Sequence, residues 1–219
     1  MVKFIAFDLD GTLVDTILDI AASLNYALEA NGFPKLSVEE VKRIVGRSVR
    51  YMCEKATPAG EKNRADDVLY AFNRHYHAHC CDTSRPYPGV LELTRRLRDE
   101  GYTLAVVSNK PHAEAVKVIS SLFAREIFST VLGRMDRFKL KPDPEPLRFA
   151  ISLSGAADRD VTYVGDSEVD VQFAANAGVR CVPVSWGYRS REQLAEAGAN
   201  CVADTAEGLY LLLTEGSKK

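Results

Sequence analysis

One stretch near the start of the chain constrains the fold more than any other: the segment FIAFDLDGTL at residues 4–13. Its apolar run, residues 4–7, predicts a short strand buried on both faces, as in a parallel sheet. In open α/β sheets ligands bind beyond the carboxyl ends of the strands, where Asp8 and Asp10 fall. Two anionic side chains at the tip of a buried strand indicate a bound cation or a reaction, although Asp-Gly is also a common turn dipeptide.

Composition excludes several classes of protein. The chain has 219 residues, 46% of them hydrophobic and 26% charged, and its net charge is −2. These values are those of an ordinary water-soluble domain and give no electrostatic reason to expect binding to nucleic acid or to a membrane surface. No apolar run approaches the roughly 20 residues of a membrane span. Five scattered cysteines without a CxxC pair, and a first strand that starts at Phe4 with no signal peptide before it, predict a cytoplasmic protein with reduced thiols.

The hydrophobic pattern changes character along the chain. Residues 16–83 show helical periodicity without a strand signal, and the segment SRPYPG at residues 84–89 marks a boundary. After it, short apolar strands alternate with helices, which favours an α/β fold with a doubly wound parallel sheet. The predicted domains are therefore a core of residues 1–15 and 84–219 and an inserted all-helical cap domain of residues 16–83; only Gly216–Lys219 is predicted to fray. The predicted core strands are 102–107, 127–132, 161–164, 180–184 and 201–202, and the predicted core helices are 90–100, 112–123, 145–154, 171–177 and 207–213.

Four strand ends in this pattern finish in polar side chains. They carry Asp8 and Asp10, then Ser108 and Asn109, then the loop of Lys141, and finally Asp166 and Asp170. Parallel strands bring these ends to one edge of the sheet, where several carboxylates repel one another unless a divalent cation joins them. Hard oxygen ligands suit Mg²⁺. A lysine, a hydroxyl and the close backbone approach allowed by Gly11 then indicate an anionic substrate group, most simply phosphate.

These segments resemble the four motifs of the haloacid dehalogenase superfamily: DLDGTL at 8–13, Ser108-Asn109, Lys141-Pro142 and GDSxxD at 165–170. All four occur in the expected order and cover the whole chain. The resemblance implies a Rossmann-like core with a helical cap and a Mg²⁺-dependent phosphatase acting on a small phosphorylated metabolite. Within the superfamily, the segments PYPGV at 86–90 and KPDP at 141–144 are most similar to the phosphoglycolate phosphatase branch, although pyrophosphatases and sugar-phosphate phosphatases share similar segments.

The resemblance also implies a role for each residue. Asp8 would be the nucleophile that becomes an aspartyl phosphate, and Asp10 would protonate the leaving alcohol and later accept a proton from water. The carboxylates of Asp8 and Asp166 and the backbone carbonyl of Asp10 would hold Mg²⁺, and Asp170 would orient a water molecule there or Lys141. The phosphate-binding residues would be Gly11, Thr12, Ser108, Asn109 and Lys141. Lys139 competes for the lysine role, but Lys141 has the matching place before Pro142.

The cap contributes one further predicted site residue. Gly46-Arg47-Ser48 interrupts the helical pattern and predicts a loop, which the resemblance places over the phosphate site. The branch often has small residues there, so Arg47 departs from its pattern. Arg47 could bind a second anionic group such as a carboxylate, or it could, like Arg50, be a solvated surface residue.

Other functions remain compatible with the sequence. A β-phosphoglucomutase-like enzyme would use the same core and return the phosphoryl group to its substrate, and a phosphorylated signalling module would retain the aspartyl phosphate. A dehalogenase would lack Asp10, and a phosphonatase would need a cap lysine near Gly46. His75, His77 and His79, with Cys80 and Cys81, could form a metal tract, but a zinc site would need four well-placed ligands, and the end of a partly exposed cap helix explains these residues better. The sequence leaves the oligomeric state open between monomer and homodimer.

Overall fold

The strands belong to one five-stranded sheet and one two-stranded ribbon. The computed structural model describes residues 3–215, and its strands are β1 (Phe4–Phe7), β2 (Val14–Asp15), β3 (Arg85–Pro86), β4 (Thr103–Pro111), β5 (Thr130–Arg134), β6 (Val161–Val164) and β7 (Arg180–Cys181). The larger sheet is parallel throughout and has the order β5-β4-β1-β6-β7. β1 therefore lies between β4 and β6, and the ends of these three strands are neighbours.

Helices cover the sheet and form the segment between β2 and β3. In chain order the described helices are α1 (Ile17–Ala30), α2 (Val38–Ile44), α3 (Val49–Ala56), α4 (Ala65–His79), α5 (Val90–Asp99), α6 (His112–Leu122), α7 (Glu145–Ser154), α8 (Glu168–Ala177), α9 (Arg191–Glu196) and α10 (Ala206–Glu215). Two short 3-10 helices, Ala59–Arg64 and Asp158–Asp160, complete them.

β1 is apolar without interruption because both of its faces are covered. Ile5 and Phe7 belong to a large hydrophobic cluster that extends into the helices before residue 84. Phe4 and Ala6 belong to a second cluster on the other face, which includes Leu147 of α7. Since alternate residues of a strand point to opposite faces, each face of the sheet needs its own helical layer. The predicted doubly wound parallel sheet is confirmed.

Residues 16–83, called the cap below, hold α1–α4 and one 3-10 helix but no strand. α1 buries Leu24 and Leu28 in the same cluster as Val68 and Phe72 of α4. Where the chain leaves and re-enters the sheet domain, β2 and β3 pair antiparallel. This pairing holds the two connecting segments side by side.

Several boundaries differ from those predicted. α8 begins at Glu168 rather than at residue 171, because Ser167 and Asp170 form a capping box that starts the helix earlier. β4 continues to Pro111, four residues past the predicted end, through an irregular register beside β5. The predicted strand 201–202 is absent from the described strands, and only an isolated bridge joins Ala203 to Val184.

The short helix α9 was missed by the sequence analysis, although Ser190 and Gln193 form a capping box that marks its start. No helix within residues 3–215 is long and apolar enough to cross a membrane. The segment Gly216–Lys219, predicted to fray, lies outside the described residues, as do the first two residues of the chain.

The junction between the cap and the sheet domain depends on a buried carboxylate. Asp19 lies in the first turn of α1. Its carboxylate accepts hydrogen bonds from the backbone N–H groups of Thr83 and Ser84, with a shortest distance of 2.9 Å to each nitrogen. The hydroxyls of the same two residues also donate to it, at 2.6 Å each. A carboxylate in the first turn of a helix is further favoured by the helix dipole.

We expect Asp19→Ala to lower the free energy of unfolding by about 2 kcal/mol, because buried donors of the 83–84 segment lose their acceptor. Urea unfolding measures the effect. Asp99→Ala, which changes an exposed aspartate at the end of α5, is the matched control and should shift stability by less than about 0.5 kcal/mol. Equal midpoints for the two variants would show that the Asp19 contacts contribute nothing.

Candidate active site

The predicted site residues converge because the ends of β4, β1 and β6 are adjacent. Asp8 follows β1, Ser108 lies near the end of β4, and Asp166 follows β6. Lys141 comes from the loop before α7, and Asp170 lies in the first turn of α8. Residues separated by almost 160 positions in sequence thus share one sheet edge, as predicted from the pattern of strand ends.

Three buried aspartates form the centre of this edge. One carboxylate oxygen from each of Asp8, Asp166 and Asp170 lies within 4.8 Å of the others. Among residues 3–215 this is the group of acidic, His or Cys side chains that is close enough to hold a metal ion. The histidines of α4 do not form such a group: His77 pairs with Glu114, and His79 pairs with Asp82.

Lys141 is the cation within this cluster. Its Nζ lies 2.8 Å from Oδ2 of Asp8, 2.7 Å from Oδ1 of Asp170, and 2.9 Å from the hydroxyl oxygen of Tyr163. Burial alone would lower the pKa of Lys141, but Asp170 and Asp8 outweigh it and raise that pKa above its ordinary value. The three contacts match the three N–H donors of an ammonium group, so Lys141 is positively charged and held in one place.

Asp170 serves as an anchor for its neighbours. Its Oδ2 accepts hydrogen bonds from the hydroxyl of Ser167 at 2.6 Å and from the backbone N–H groups of Asp166 and Ser167. Its Oδ1 accepts from Lys141 and from the hydroxyl of Tyr163. Both oxygens are thereby occupied, which suits the orienting role implied for Asp170 better than direct metal binding.

The carboxylates of Asp8 and Asp166 are less fully compensated. Burial raises the pKa of Asp8 to about 6, with Lys141 opposing the effect and Asp170 adding to it. Burial also raises the pKa of Asp166 well above its ordinary value, and the charges of Asp170 and Asp8 add to this shift. Within the described residues 3–215, Asp166 accepts hydrogen bonds from the hydroxyl of Thr12 at 3.2 Å and from the backbone N–H of Tyr188 at 2.8 Å. Asp8 and Asp166 therefore keep oxygen lone pairs for a cation, and hard oxygens of this kind fit Mg²⁺.

Asp10 has different neighbours from Asp8. Its Oδ1 accepts hydrogen bonds from the hydroxyl of Thr16 at 2.7 Å and from Nζ of Lys110 at 2.8 Å. The hydroxyl oxygen of Tyr188 lies 3.0 Å from that of Thr16. Asp8 and Asp10 line the same cavity, but one pairs with Lys141 and the other with Lys110. Two carboxylates with separate partners can take separate chemical roles.

Gly11 and Gly187 allow a close approach around Asp166. Gly11 has a φ of +80°, and a Cβ atom on it would lie 2.3 Å from a carboxylate oxygen of Asp166. A Cβ atom on Gly187 would lie 2.4 Å from the same carboxylate. The N–H of Gly11 is donated to the carbonyl of Val14. The observed role of Gly11 is thus to admit Asp166, and its contact with substrate stays a prediction.

The remaining predicted phosphate-binding residues also lie at this edge. Ser108 is buried and hydrogen-bonds to Asp8, and Thr12 is buried against Asp166. The side-chain amide of Asn109 accepts from the N–H of Lys141 at 2.8 Å and donates to the carbonyl of the same residue at 3.2 Å. Asn109 therefore positions the Lys141 loop, and its contact with substrate stays a prediction.

Residues of the cap and of the sheet edge together line a small cavity of about 60 Å³. Arg47 lines this cavity, and its exposed guanidinium lies 5.1 Å from the centre of the Tyr51 ring. Arg50 points elsewhere, to an ion pair with Asp66 at 2.6 Å. Of the two arginines considered from the sequence, Arg47 is the one at the cavity.

Comparison with known proteins agrees with this geometry. A family model of haloacid dehalogenase-like hydrolases matches residues 5–184. The chain belongs to the haloacid dehalogenase-like hydrolases. The matched range includes the three aspartates of the acidic cluster and Lys141, which are residues to which the resemblance assigned roles.

Relatives of this hydrolase match it over nearly its whole length. A phosphoglycolate phosphatase of Haemophilus influenzae (strain 86-028NP) is 33% identical over 219 residues, covering 96% of this chain and 98% of the relative. A phosphoglycolate phosphatase of Mesorhizobium japonicum is 38% identical over 192 residues, covering 85% of this chain and 84% of the relative. A solved structure from Lactobacillus delbrueckii subsp. bulgaricus superimposes with a TM-score of 0.90 at 32% identity, covering 96% and 98% of the two chains. The shared fold therefore includes the cap.

Three residues of this hydrolase's site were missed in the sequence analysis. Lys110 pairs with Asp10, Tyr188 contacts Asp166 and Thr16, and Arg189 joins the sheet domain to the cap. Lys110 directly follows Ser108 and Asn109 in sequence, but it lies past the predicted end of the strand at residue 107, in the part of β4 where the register is irregular. Tyr188 and Arg189 follow the irregular segment after β7, where hydrophobic periodicity gives no signal.

Arg189 contacts the cap at the end of α2. Its guanidinium donates to the carbonyls of Lys42 at 2.9 Å and Val45 at 3.1 Å, and it pairs with Glu168 at 2.9 Å. The last carbonyls of a helix lack partners within that helix. Arg189 satisfies two such carbonyls and thereby holds the Gly46–Ser48 loop over the cavity of this hydrolase.

Without metal, this hydrolase should become more stable as the pH falls from 7.5 to about 5. The pKa of Asp8 is raised to about 6 and that of Asp166 is also raised in the folded protein, whereas an unfolded aspartate titrates near 4. The folded state therefore binds more protons in this window, so stability is gained as the pH falls through 6 and the gain is complete below about 4. We expect about 1–3 kcal/mol.

Urea unfolding in excess chelator, repeated at several pH values, measures this gain. Asp8→Asn removes one of the two raised carboxyl groups and should show a smaller pH dependence than the unsubstituted protein. A free energy of unfolding that falls steadily from pH 7.5 to 5 would contradict the prediction.

Proposed function

We propose that this hydrolase cleaves phosphate monoesters with Mg²⁺ through an aspartyl phosphate on Asp8, and that its substrate is 2-phosphoglycolate. The coarser assignment is plain: the chain is a phosphoric monoester hydrolase of the haloacid dehalogenase-like family. The finer proposal rests chiefly on the different surroundings of Asp8 and Asp10 at the tip of one strand. The proposed reaction needs a nucleophile and a separate proton donor, and two carboxylates with different surroundings can supply these two groups.

Asp8 would act as the nucleophile. A carboxylate oxygen of Asp8 forms a bond to phosphorus while the bond from phosphorus to the ester oxygen breaks. Water then attacks phosphorus, the bond to Asp8 breaks, and free phosphate leaves with the carboxylate regenerated. Lys141 and the backbone N–H of Leu9 each contact one oxygen of Asp8, which fixes the orientation of the carboxylate.

Asp10 would transfer the proton in both half-reactions. It donates a proton to the ester oxygen as the alcohol leaves and takes a proton from the attacking water. The hydroxyl of Thr16 and the ammonium of Lys110 hold one of its carboxylate oxygens, and the residue lines the cavity where the leaving group would lie.

Ser108 and Lys141 would contact oxygens of the phosphoryl group, where position and charge supply most of the acceleration. The carboxylates of Asp8 and Asp166, with the backbone carbonyl of Asp10, would hold Mg²⁺. When bound there, the cation would offset negative charge on the phosphoryl group. Asp170 would keep Lys141 and the 166–167 backbone in place.

Two observations support a small substrate such as 2-phosphoglycolate. The named relatives with 33% and 38% identity are phosphoglycolate phosphatases. The cavity of about 60 Å³ is small, and the cationic side chains of Lys110 and Arg47 line it in addition to the acidic groups. A phosphate-release screen of about a hundred phosphate esters with Mg²⁺, ranked by kcat/KM, tests the proposal. A preference for a sugar phosphate or for pyrophosphate would contradict it.

A phosphoryl mutase and a signalling module are the alternatives. Release of free phosphate, rather than an isomerised sugar phosphate, separates hydrolysis from the mutase reaction. A long-lived aspartyl phosphate after treatment with acetyl phosphate would indicate signalling.

We further propose a cytoplasmic location, supported by five cysteines that all carry free thiols. As partners we propose only the metabolite, with neither nucleic acid nor membrane, in a monomer or homodimer.

Asp10→Asn should reduce kcat/KM for 2-phosphoglycolate by roughly 10²–10⁴-fold, because the leaving alcohol loses its proton donor. The loss should be much smaller for p-nitrophenyl phosphate, whose leaving group needs little protonation. Phosphate-release kinetics with both substrates measure the difference. Asp8→Asn is the control and should remove activity toward both. Equal losses for the two substrates in Asp10→Asn would exclude Asp10 as the leaving-group acid.

Mg²⁺ should raise the thermal unfolding midpoint at pH 7.5, because it binds the folded protein and offsets buried carboxylates. Asp166→Asn should raise the Mg²⁺ concentration for half the effect by more than about tenfold, whereas Asp170→Asn should raise it less. Differential scanning fluorimetry with Mg²⁺ titration measures both. In a separate activity assay, Ca²⁺ added after chelator treatment should restore little turnover, since the looser coordination shell of Ca²⁺ misplaces the reacting groups. The reverse order of the two variants would mean that Asp170 is the ligand.

A further inference from the structure

Lys110 is a second buried ammonium group at the cavity. Its side chain is 1% exposed, and its Nζ lies 2.8 Å from Oδ1 of Asp10. It also hydrogen-bonds to the hydroxyl of Tyr76 in the cap and lies 4.7 Å from the centre of that ring. The side chain thus lies where the sheet edge, the proton donor and the cap meet.

The hydrogen bonds of Lys110 leave one donor unused. An ammonium group has three N–H donors. Lys141 uses all three, on Asp8, Asp170 and Tyr163. Within residues 3–215, the side chain of Lys110 has two hydrogen-bonding partners, Asp10 and Tyr76, and it also lines the cavity. A buried cation with a spare donor at a cavity wall is suited to an anionic group of a ligand.

The place of Lys110 next to Asp10 defines where that anionic group would lie. Asp10 would contact the ester oxygen of the substrate, so Lys110 adjoins the part of the leaving group nearest to that oxygen. In 2-phosphoglycolate three covalent bonds separate the ester oxygen from an oxygen of the carboxylate. The carboxylate of 2-phosphoglycolate would therefore lie beside Lys110, the cation that is paired with Asp10.

Arg47 and Arg189 also line the cavity. The guanidinium of Arg189 is held by the carbonyls of Lys42 and Val45 and by Glu168, so Arg47 is the cation that competes with Lys110 for this carboxylate. Arg47 is exposed and lies over the Tyr51 ring on the cap side. Fixing a long exposed side chain on a ligand costs conformational entropy, whereas Lys110 is already buried and held by two partners. The preorganised cation next to Asp10 is therefore favoured.

We propose that Lys110 binds the carboxylate of the substrate and makes the site selective for phosphate esters with a carboxylate on the carbon that bears the ester oxygen. This inference rests on the proposed phosphatase function and adds to it the residue that recognises the leaving group. Tyr76, from the cap, would keep the ammonium in position.

The test compares 2-phosphoglycolate with 2-phosphoglycolamide, which has nearly the same shape but an uncharged amide in place of the carboxylate. The preference is the ratio of the two kcat/KM values. We expect the unsubstituted enzyme to prefer 2-phosphoglycolate, and Lys110→Met to reduce this preference by roughly 10- to 100-fold, the range for a hydrogen bond between charged groups. If Lys110→Met fails to fold, Lys110→Gln retains donors for Asp10 and Tyr76 and tests the same ratio.

Two matched variants serve as controls. Lys139→Met removes a lysine whose side chain is 79% exposed and should leave the preference unchanged. Arg47→Met removes the competing cation on the cap side of the cavity and should change the preference by less than about threefold. A collapse of the preference in Arg47→Met but not in the Lys110 variant would overturn the proposal in favour of Arg47.

Two further outcomes separate this proposal from the proposed function. If the enzyme prefers 2-phosphoglycolate and Lys110→Met lowers activity on both substrates equally, Lys110 only positions Asp10, and the carboxylate proposal fails while the substrate stands. If the unsubstituted enzyme shows no preference for the carboxylate, both the substrate and the role of Lys110 are overturned.

Discussion

The ammonium group of Lys141 is the interaction on which the geometry of the site depends. Three aspartates at one sheet edge would repel one another, and burial strengthens that repulsion because water cannot screen it. Lys141 joins Asp8 to Asp170 through contacts of 2.8 and 2.7 Å. Asn109 in turn holds the backbone of Lys141, so the carboxyl end of β4 positions the cation that binds the carboxyl end of β1.

Lys141 neutralises only part of the negative charge of the three aspartates, which gives a physical reason for a metal ion at this edge. With all groups ionised, three carboxylates and one ammonium have an excess of two negative charges, the charge of one divalent cation. Burial is the chief cause of the raised pKa values of Asp8 and Asp166, and the neighbouring carboxylates add to both shifts. The apolar strands that hold the site rigid also make its carboxylates costly to ionise, so the fold that builds the site also creates the need for a cation.

Much of this arrangement could be predicted from the sequence because it follows from strand ends. An apolar run followed by polar residues marks the edge of a parallel sheet, and that rule found Asp8, Asp10, Ser108 and Asp166. It did not find contacts that depend on irregular backbone. Tyr188 reaches Asp166 from a segment without hydrophobic periodicity. Lys110 was missed because β4 was predicted to end at residue 107, and its continuation to Pro111 is a tertiary effect of pairing with β5.

The contrast between Asp8 and Asp10 shows how one strand tip gives two carboxylates different surroundings. Residues two positions apart on a regular strand share a face and would share their surroundings. β1 ends at Phe7, and the positive φ of Gly11 turns the chain directly after Asp10. Asp8 therefore pairs with Lys141 inside the sheet edge, whereas Asp10 pairs with Thr16 and Lys110 toward the cap. Because Lys110 also binds Tyr76, Asp10, the proposed proton donor, is linked to the cap, whereas Asp8, the proposed nucleophile, is linked to the sheet. A leaving group recognised by the cap side of the cavity would thus meet Asp10 first, while its phosphate faces Asp8.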